Sequence, residues 1–247
     1  MFKEAVGIIG GADGPTVVFT SDGEVLRWWP LLLAVLIAYL IGNISPSTIM
    51  AKSRGLDIKK EGSGNAGTTN ALRVMGKKAG VITLVVDVLK GVLAVLLGQY
   101  LSAALGGDGL APIAAALCAL AVFLGHVWPV VYKFKGGKGV ATAFGAIMGL
   151  NPLLGVIVLA VVVVFVLLTK RMSVGSIIGA AAFPFLALWL EPFFFSPGLV
   201  MAIIVIVKHR SNIVRLCKGQ EPIMSIFEKK DNTADQNGDS EKDDKED

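Results

Sequence analysis

The chain alternates long apolar runs with short polar segments, and the runs are long enough to cross a bilayer. A window of about 19 residues, the length that spans the hydrocarbon core, detects them along most of the chain. It predicts spans over about 29–51, 79–101, 110–132, 174–190 and 199–207, with one longer run over 140–168. Asn151 and Pro152 interrupt that longer run, so two short helices are expected to meet there. The pattern predicts an all-α, polytopic integral membrane protein with about seven transmembrane helices, two of them short.

Composition supports a membrane location and divides the chain into three parts. Hydrophobic residues make up 54% of the 247 residues and charged residues 17%, which is more apolar than one soluble core requires. Residues 1–27 lack the apolar core of a secretory signal and are predicted to form an extracytoplasmic extension. Residues 28–227 form the predicted transmembrane domain, and the acidic, polar residues 228–247 a disordered tail. Two cysteines, Cys118 and Cys217, provide no disulfide framework and no metal knuckle.

Charge in the connecting segments predicts the orientation. Lys and Arg are concentrated after the first, third, fifth and seventh apolar pieces, whereas the turns at 105–112 and 190–198 contain neither residue. Short loops rich in Lys and Arg stay in the cytoplasm. We therefore expect the N-terminus outside the cell membrane and the C-terminus in the cytoplasm, with three polar clusters on the cytoplasmic face.

The first cluster, GSGNAGTTNALR, follows the first span. Its candidate ligand-binding residues are Ser63, Asn65, Thr68, Asn70 and Arg73. Backbone amides and hydroxyls in a glycine-rich loop can surround an anion, and an arginine can hold a phosphate through two parallel hydrogen bonds. The alternative is a solvated, flexible connector.

The second cluster, KFKGGKGVAT, follows the third span. Gly136, Gly137 and Gly139 allow tight turns, a helix is expected to begin near Val140, and Lys138 adds a charge, so this segment can cradle a phosphate. It does not have the GxxxxGK[ST] order of a nucleotide-hydrolysing P-loop. The alternative is a basic loop that only sets the topology.

The third cluster, KHRSNIVRLCKGQE, follows the last span. His209 and Asn212 are three residues apart, one helical turn, so both can point into the same cavity. An imidazole can accept or donate a proton, and an amide can stabilise a developing oxyanion. Alternatively, His209 caps the interface, and Arg215 and Glu221 form an ion pair that fixes the segment.

Two polar features lie at membrane depth. Asp87 and Lys90 are one turn apart within the second span, where a structural ion pair is the favoured interpretation. His126 lies near the end of the third span and can either bond across helices or line the cavity.

The three clusters in this order, each after an apolar span, resemble the acyl-phosphate:glycerol-3-phosphate acyltransferase family of bacterial membranes, the PlsY type. The resemblance covers about residues 31–224 and includes DVLKG and LGHVWP. It implies a small seven-helix membrane enzyme that moves an acyl group from acyl phosphate to the 1-hydroxyl of glycerol 3-phosphate, giving lysophosphatidate for phospholipid synthesis. No cofactor, metal, nucleic acid or obligate protein partner is implied, only the two substrates and membrane lipid.

The resemblance also implies roles for the cluster residues. Glycerol 3-phosphate is assigned to Ser63, Asn65, Thr68, Asn70 and Arg73, and acyl phosphate to Gly136, Gly137, Lys138 and Gly139. Catalysis is assigned to His209 and Asn212 together with Ser63, with the proton acceptor left open between His209 and a substrate phosphate. Structural roles are assigned to Asp87, Lys90 and Glu221.

Two other functions are compatible with the pattern. A secondary transporter of an organic phosphate also uses broken helices, although its site would lie near the membrane midplane. A non-catalytic lipid-binding scaffold would bind without turnover. The segment GIIGGADGPT, which contains Asp13, is similar to part of the β subunits of sodium-translocating decarboxylases, but no surrounding helices for an ion path are predicted.

Overall fold

The computed structural model describes residues 5–9, 17–20, 25–26, 28–106, 108–224 and 227. Before the membrane domain, β1 (Ala5–Ile9), β2 (Val17–Thr20) and β3 (Val25–Leu26) form a small antiparallel sheet in the order β1-β2-β3. Ile8 is opposite Val18, and Phe19 is opposite Val25. The sequence pattern did not predict these strands. Asp13 and the predicted tail, 228–247, lie outside the described residues.

All regular secondary structure in the described part of the membrane domain is helical. Its helices are α1 (Trp29–Gly42), α2 (Pro46–Ser53), α3 (Thr68–Met75), α4 (Lys77–Gly106), α5 (Ala111–Val127), α6 (Val140–Leu150), α7 (Pro152–Thr169), α8 (Met172–Leu190), α9 (Phe195–Lys208) and α10 (Arg210–Cys217). Short 3₁₀ turns occupy Asp108–Leu110, Val130–Tyr132 and Pro192–Phe194.

Five of the described stretches are long and apolar enough to span a membrane, with Trp29–Ser53 counted as one. The segment Pro192–Lys208 and α10 meet at 54°, so they make a sixth span only if this bent pair is counted as one, and α6 is a shorter apolar helix. Every predicted apolar piece is therefore helical, and the predicted all-α membrane fold is confirmed. Helix α4 is longer than its predicted span at both ends.

The first span is interrupted, which corrects the continuous helix predicted over 29–51. Helix α1 ends at Gly42 and α2 begins at Pro46, whose ring nitrogen cannot donate a helical hydrogen bond. Polar groups satisfy the backbone at this break: Asn43 Nδ2 donates to the Tyr39 carbonyl at 2.6 Å, and Lys90 Nζ donates to the Ile44 carbonyl at 2.6 Å. Unpaired backbone groups at membrane depth are costly, so these bonds allow the span to bend.

The predicted turn between α6 and α7 is confirmed at Asn151. Its side-chain oxygen accepts a hydrogen bond from Leu154 N at 3.1 Å and so caps α7, and Pro152 occupies the first helical position. The amide nitrogen of Asn151 donates to Glu191 Oε1 at 2.9 Å. Asn151 alone therefore joins the two helices, as the C-cap of α6 and the N-cap of α7.

Helix α5 is the most buried of the spans, and α1 and α4 pack against it. Small residues permit the closest crossings. A side chain on Gly42 of α1 would collide with the backbone of α5 at Val122 and Gly125, and one on Gly145 of α6 would collide with Val88 of α4. Close backbone approach at glycine is a common means of packing helices in lipid, where apolar side chains gain little by leaving the bilayer.

Candidate functional site

The segment before α3 is ordered by one buried amide. Asn70, 1% exposed, accepts a hydrogen bond from Ser63 N at 2.8 Å and donates to the carbonyls of Ile58 at 3.2 Å and Glu61 at 3.0 Å. Gly62 and Gly64 adopt left-handed backbone angles, φ 57° and 68°, which glycine tolerates without strain. Asn70 therefore fixes the path of the loop that presents Ser63, and its carbonyl oxygen and amide nitrogen are both used inside that loop.

The remaining residues of the first cluster are more accessible. Ser63 and Arg73 are exposed, and Asn65 is half-buried. Arg73 makes no hydrogen bond or ion pair with any described residue, so its guanidinium is available for a ligand. The hydroxyl of Thr68 is buried and has no hydrogen-bond partner in the part of the chain that is described. The sequence pattern missed that residues 68–75 are a helix; the buried positions Ala71 and Met75, four residues apart, were the available signal.

The glycine loop, defined here as residues 133–139, turns back against the end of α5. Gly136 N donates to the Val127 carbonyl and Gly137 N to the His126 carbonyl, both at 3.2 Å. Those two amides are consequently used within the protein. Gly139, at φ 83°, precedes α6, whose first amides have no partners within the helix. Thr142, in that first turn, is fully buried and its hydroxyl has no partner among the described residues.

Lys138 joins the glycine loop to the third cluster. Its Nζ donates a hydrogen bond to Asn212 Oδ1 across 74 positions of sequence. Burial lowers the pKa of the Lys138 ammonium to about 8; the Glu221 carboxylate opposes this effect and the Arg215 guanidinium adds to it. Lys138 is therefore mostly charged at neutral pH.

His209 lies between α9 and α10 and is 3% exposed. Its Nδ1 is 2.8 Å from the Val205 carbonyl oxygen, so Nδ1 carries the proton and Nε2 keeps its lone pair in the neutral ring. Burial lowers the pKa of His209 to about 4, and the nearby Lys138 charge contributes to the shift. The imidazole is consequently neutral at physiological pH.

Glu221 fastens α10 in place. Its Oε1 accepts from Asn212 Nδ2 at 2.7 Å and its Oε2 from Arg215 Nε at 2.8 Å. Burial raises the pKa of this carboxyl, but the hydrogen bonds from Asn212 and Arg215 outweigh it, so the pKa is lowered overall. Arg171, which follows α7, donates from Nε to the Glu221 carbonyl at 3.0 Å. The predicted Arg215–Glu221 ion pair is therefore present.

These contacts bring all four basic segments to one end of the bundle. The first and second clusters are in contact at Gly137 and Ala66. These residues are so close that a Cβ added to Gly137 would lie 3.0 Å from the Ala66 carbonyl oxygen. Tyr132 adds a second link, because Lys52 and Lys59 lie 5.3 and 5.4 Å from its ring centre. Lys138 and Arg171 then connect to the third cluster as described. No group of three or more potential metal-ligating side chains occurs in the described part of the chain.

The ion pair predicted within the second span is also present, because Lys90 Nζ is 2.7 Å from Asp87 Oδ1. His126, whose role the sequence left open, is part of the same cluster: its Nδ1 is 2.9 Å from Lys90 Nζ. A buried ion pair in a membrane helix is expected to find further hydrogen bonds, and here it does so on α5 and at the break after α1.

Comparison with known proteins agrees with this arrangement. A family model described as glycerol-3-phosphate acyltransferase matches residues 32–219. A glycerol-3-phosphate acyltransferase of Thermoanaerobacter sp. (strain X514) is 47% identical over 193 residues, which cover 77% of this chain and 93% of that protein. Another, from Clostridioides difficile (strain 630), is 44% identical over 195 residues, with coverages of 77% and 93%.

Two solved structures share the fold. The crystal structure of PlsY (YgiH), an integral membrane glycerol 3-phosphate acyltransferase, in its glycerol 3-phosphate form matches with a TM-score of 0.73 at 32% identity. The match covers 80% of this chain and 99% of that one. The lysophosphatidic acid form matches with a TM-score of 0.69 at 33% identity, with coverages of 78% and 94%.

Proposed function

The chain belongs to the glycerol-3-phosphate acyltransferase family, and from this premise we propose that it transfers a fatty acyl group from an acyl phosphate to the 1-hydroxyl of glycerol 3-phosphate. The product is lysophosphatidate, the 1-acyl ester. The solved relatives are described in forms with glycerol 3-phosphate and with lysophosphatidic acid, a substrate and a product of this reaction. The protein is a multi-pass membrane protein, so an acyl donor dissolved in the bilayer can reach it from the side.

The observation that carries the proposal is the hydrogen bond between Lys138 and Asn212. It brings the glycine loop, proposed to hold the acyl phosphate at Gly136, Gly137, Lys138 and Gly139, next to the helix that contains Asn212. His209 stands at the start of that helix. A cation, an amide and an imidazole thus lie together at the bundle end where Ser63 and Arg73 are exposed. Two anionic substrates need such a site, because their mutual repulsion must be overcome before they can react.

The chemistry requires placement more than activation. An acyl phosphate is a mixed anhydride, so its carbonyl carbon is already electrophilic. The hydroxyl oxygen of glycerol 3-phosphate attacks that carbon, the new ester C–O bond forms, and the bond to the phosphate oxygen breaks with release of inorganic phosphate. Lys138 neutralises charge on the departing phosphate, and the Asn212 amide stabilises the oxyanion of the tetrahedral intermediate. In this scheme Arg73 and Ser63 hold the phosphate of the acceptor, with Asn65 and Thr68 beside them.

We assign the proton of the attacking hydroxyl to a substrate phosphate. His209, with a pKa of about 4, is a weak base at neutral pH. A phosphate monoester has a second pKa of about 6, so its dianion takes up a proton more readily than this imidazole does. His209 Nε2, which the bond of Nδ1 to Val205 leaves unprotonated, then accepts a hydrogen bond from the second, non-reacting hydroxyl of glycerol 3-phosphate and so orients the acceptor.

The proposal also includes an orientation. Because the four basic segments meet at one end of the bundle, the charge rule assigns that end to the cytoplasm, where glycerol 3-phosphate is available. The N-terminal extension then lies outside, and the C-terminus in the cytoplasm.

A detergent assay tests the function. Purified protein receives glycerol 3-phosphate with either acyl phosphate or acyl-CoA, and ester formation is measured. We expect lysophosphatidate and stoichiometric inorganic phosphate with acyl phosphate and little ester with acyl-CoA. Equal rates with both donors would refute the assignment of the donor. No ester with either would refute the enzyme activity, and since detergent leaves no sealed compartment, transport cannot produce a positive result.

A further inference from the structure

Asp87, Lys90 and His126 form a buried polar cluster between α4 and α5, 1%, 3% and 7% exposed respectively. Lys90 Nζ is 2.7 Å from Asp87 Oδ1, 2.9 Å from His126 Nδ1 and 2.6 Å from the Ile44 carbonyl oxygen. Two of the three ammonium N–H groups are used by His126 Nδ1 and the Ile44 carbonyl, whereas Asp87 forms an ion pair with Lys90 and its Oδ1 has no hydrogen-bond partner among the described residues.

This arrangement fixes the tautomer of His126. An ammonium group can donate hydrogen bonds but cannot accept them, so His126 Nδ1 must be the acceptor and therefore lacks a proton. In the neutral imidazole the proton is consequently on Nε2. Asp87 Oδ1 is 3.4 Å from the same Nδ1, which is farther than Lys90 Nζ at 2.9 Å. Lys90 Nζ therefore lies between the Asp87 carboxylate, at 2.7 Å, and the His126 ring.

The protonated nitrogen faces the glycine loop. A side chain on Gly137 would collide with His126 Nε2, so the imidazole occupies the space that a Cβ would need. Gly137 N also donates to the His126 carbonyl, which holds loop and ring together. Within the described residues, Nε2 makes no hydrogen bond of its own. A free N–H donor is thus aimed at the segment where an anion is proposed to bind.

We propose that His126 Nε2–H is a further hydrogen-bond donor to the substrate phosphate held at the glycine loop, with Lys90 and Asp87 as the residues that position it. The inference rests on the proposed function for the identity of the phosphate, an acyl phosphate. It explains why a costly ion pair is kept in a membrane helix next to a histidine. Lys90 also links the two clusters. It donates to the Ile44 carbonyl, at the break in the span before the first cluster, and to His126 Nδ1, beside the second cluster.

Two substitutions at His126 separate donation from packing. His126→Asn places an amide oxygen near the position of Nδ1, where Lys90 can still donate to it, but provides nothing at Nε2. His126→Gln is longer and places an amide nitrogen donor near the position of Nε2. We expect His126→Asn to raise KM for acyl phosphate at least about 10-fold, the loss expected for a hydrogen bond to a charged group, with KM for glycerol 3-phosphate changed less. His126→Gln should recover most of the loss.

Lys90→Met tests the positioning role, because it removes the restraint on the tautomer while leaving the imidazole. We expect a similar rise in KM for acyl phosphate, together with a lower melting temperature. Ser102→Ala is the matched control for a buried polar change in α4: Ser102 is fully buried with its hydroxyl unpaired among the described residues, and this variant should match wild type.

Binding of inorganic phosphate, measured by titration calorimetry in detergent, is a readout that needs no turnover. Weaker phosphate binding by His126→Asn, with recovery in His126→Gln, supports the inference even if wild type lacks acyltransferase activity, in which case only the proposed function fails. If His126→Asn binds phosphate and acyl phosphate as wild type does, the inference is wrong. It is also wrong if both variants are equally impaired, because the ring would then act through packing alone.

Discussion

Lys138 Nζ donates a hydrogen bond to Asn212 Oδ1, and the same Asn212 amide donates to Glu221 Oε1 at 2.7 Å. The amide therefore stands between a cation and a carboxylate, with each end matched to the charge that it faces. Because Lys138 can only donate, Asn212 Oδ1 must face Lys138, and Nδ2 is the donor that faces Glu221. It also means that the position of Lys138 depends on α10, so the glycine loop and the third cluster form one unit.

Substitutions at Lys138 and Asn212 are therefore expected to be non-additive. Lys138→Met removes the cation that neutralises the departing phosphate, and Asn212→Ala removes the amide that orients the cation. Each should lower kcat/KM by about 100-fold or more, as observed for loss of one group that stabilises a developing charge. The double variant should lose little more than the worse single variant, because the two groups act together.

Kinetics of the four proteins with acyl phosphate would measure this coupling. The matched control is Lys135→Met in the same loop, an exposed lysine, which should change kcat/KM by less than about threefold. Strict additivity of the two losses would contradict a functional unit built on the hydrogen bond.

Activity should decline at alkaline pH because of Lys138. Its pKa is lowered to about 8, so the ammonium loses its proton as the pH rises through that value rather than near 10.5. Above pH 8 the neutral amine no longer compensates the phosphate charge, and KM for acyl phosphate should rise. Lys138→Arg stays charged throughout this range, so its profile should lack the alkaline decline, whatever its plateau. The same decline in both proteins would assign the titration to another group.

Arg73 is expected to act on binding and not on stability. It is exposed and has no partner among the described residues, so Arg73→Ala should leave the melting temperature unchanged. KM for glycerol 3-phosphate should rise about 10- to 100-fold, which corresponds to the loss of a charged hydrogen-bonding group. Arg73→Lys retains the charge but not the paired donors and should recover only part of the affinity. Unchanged KM in Arg73→Ala would remove this residue from the acceptor site.

Asn70 should show the opposite behaviour. Asn70→Ala removes three hydrogen bonds to the loop, each worth about 0.5–1.5 kcal/mol, and should destabilise the protein by about 2–4 kcal/mol. Asn70→Asp keeps the acceptor for Ser63 N but faces the carbonyls of Ile58 and Glu61 with a carboxylate, so it should be no better. Thermal unfolding in detergent measures the loss. A variant with unchanged stability but a raised KM would show that Asn70 contacts substrate, as the sequence suggested.

The sequence was sufficient to predict the spans, since the bilayer imposes a length and an apolarity that a window detects directly. It also predicted the turn at Asn151, where a proline and a capping side chain act on neighbouring residues. The break at 43–45 was not predicted, because the group that satisfies the Ile44 carbonyl is Lys90, 46 positions away. Helix α3 was missed for a related reason. It is a short amphipathic helix of 8 residues between Gly67 and Gly76, and it is stabilised by packing on α4, which is a tertiary contact.

For the site, the sequence predicted the three clusters but not how their residues are used. It assigned Gly136 and Gly137 to the acyl phosphate, which stays a proposal, but it did not predict that their amides bond the end of α5, and it could not identify the partner of His126. Both outcomes depend on tertiary contacts between helices, which spacing along one helix does not report. The individual assignments to substrate and catalysis stay predictions until the variants are measured.

The orientation of the bundle leads to a prediction that is independent of activity. The basic segments after the first, third, fifth and seventh apolar pieces meet at one end, and the turns at 105–112 and 190–198 carry no Lys or Arg. A reporter fused after Asp247 should therefore be cytoplasmic, and one inserted in the turn at 190–198 extracytoplasmic. Alkaline phosphatase, active only outside, and green fluorescent protein, fluorescent mainly inside, provide complementary signals. If the fusion after Asp247 were active as a phosphatase, the polar clusters would lie outside, away from cytoplasmic glycerol 3-phosphate, and the proposed reaction could not proceed in the cell.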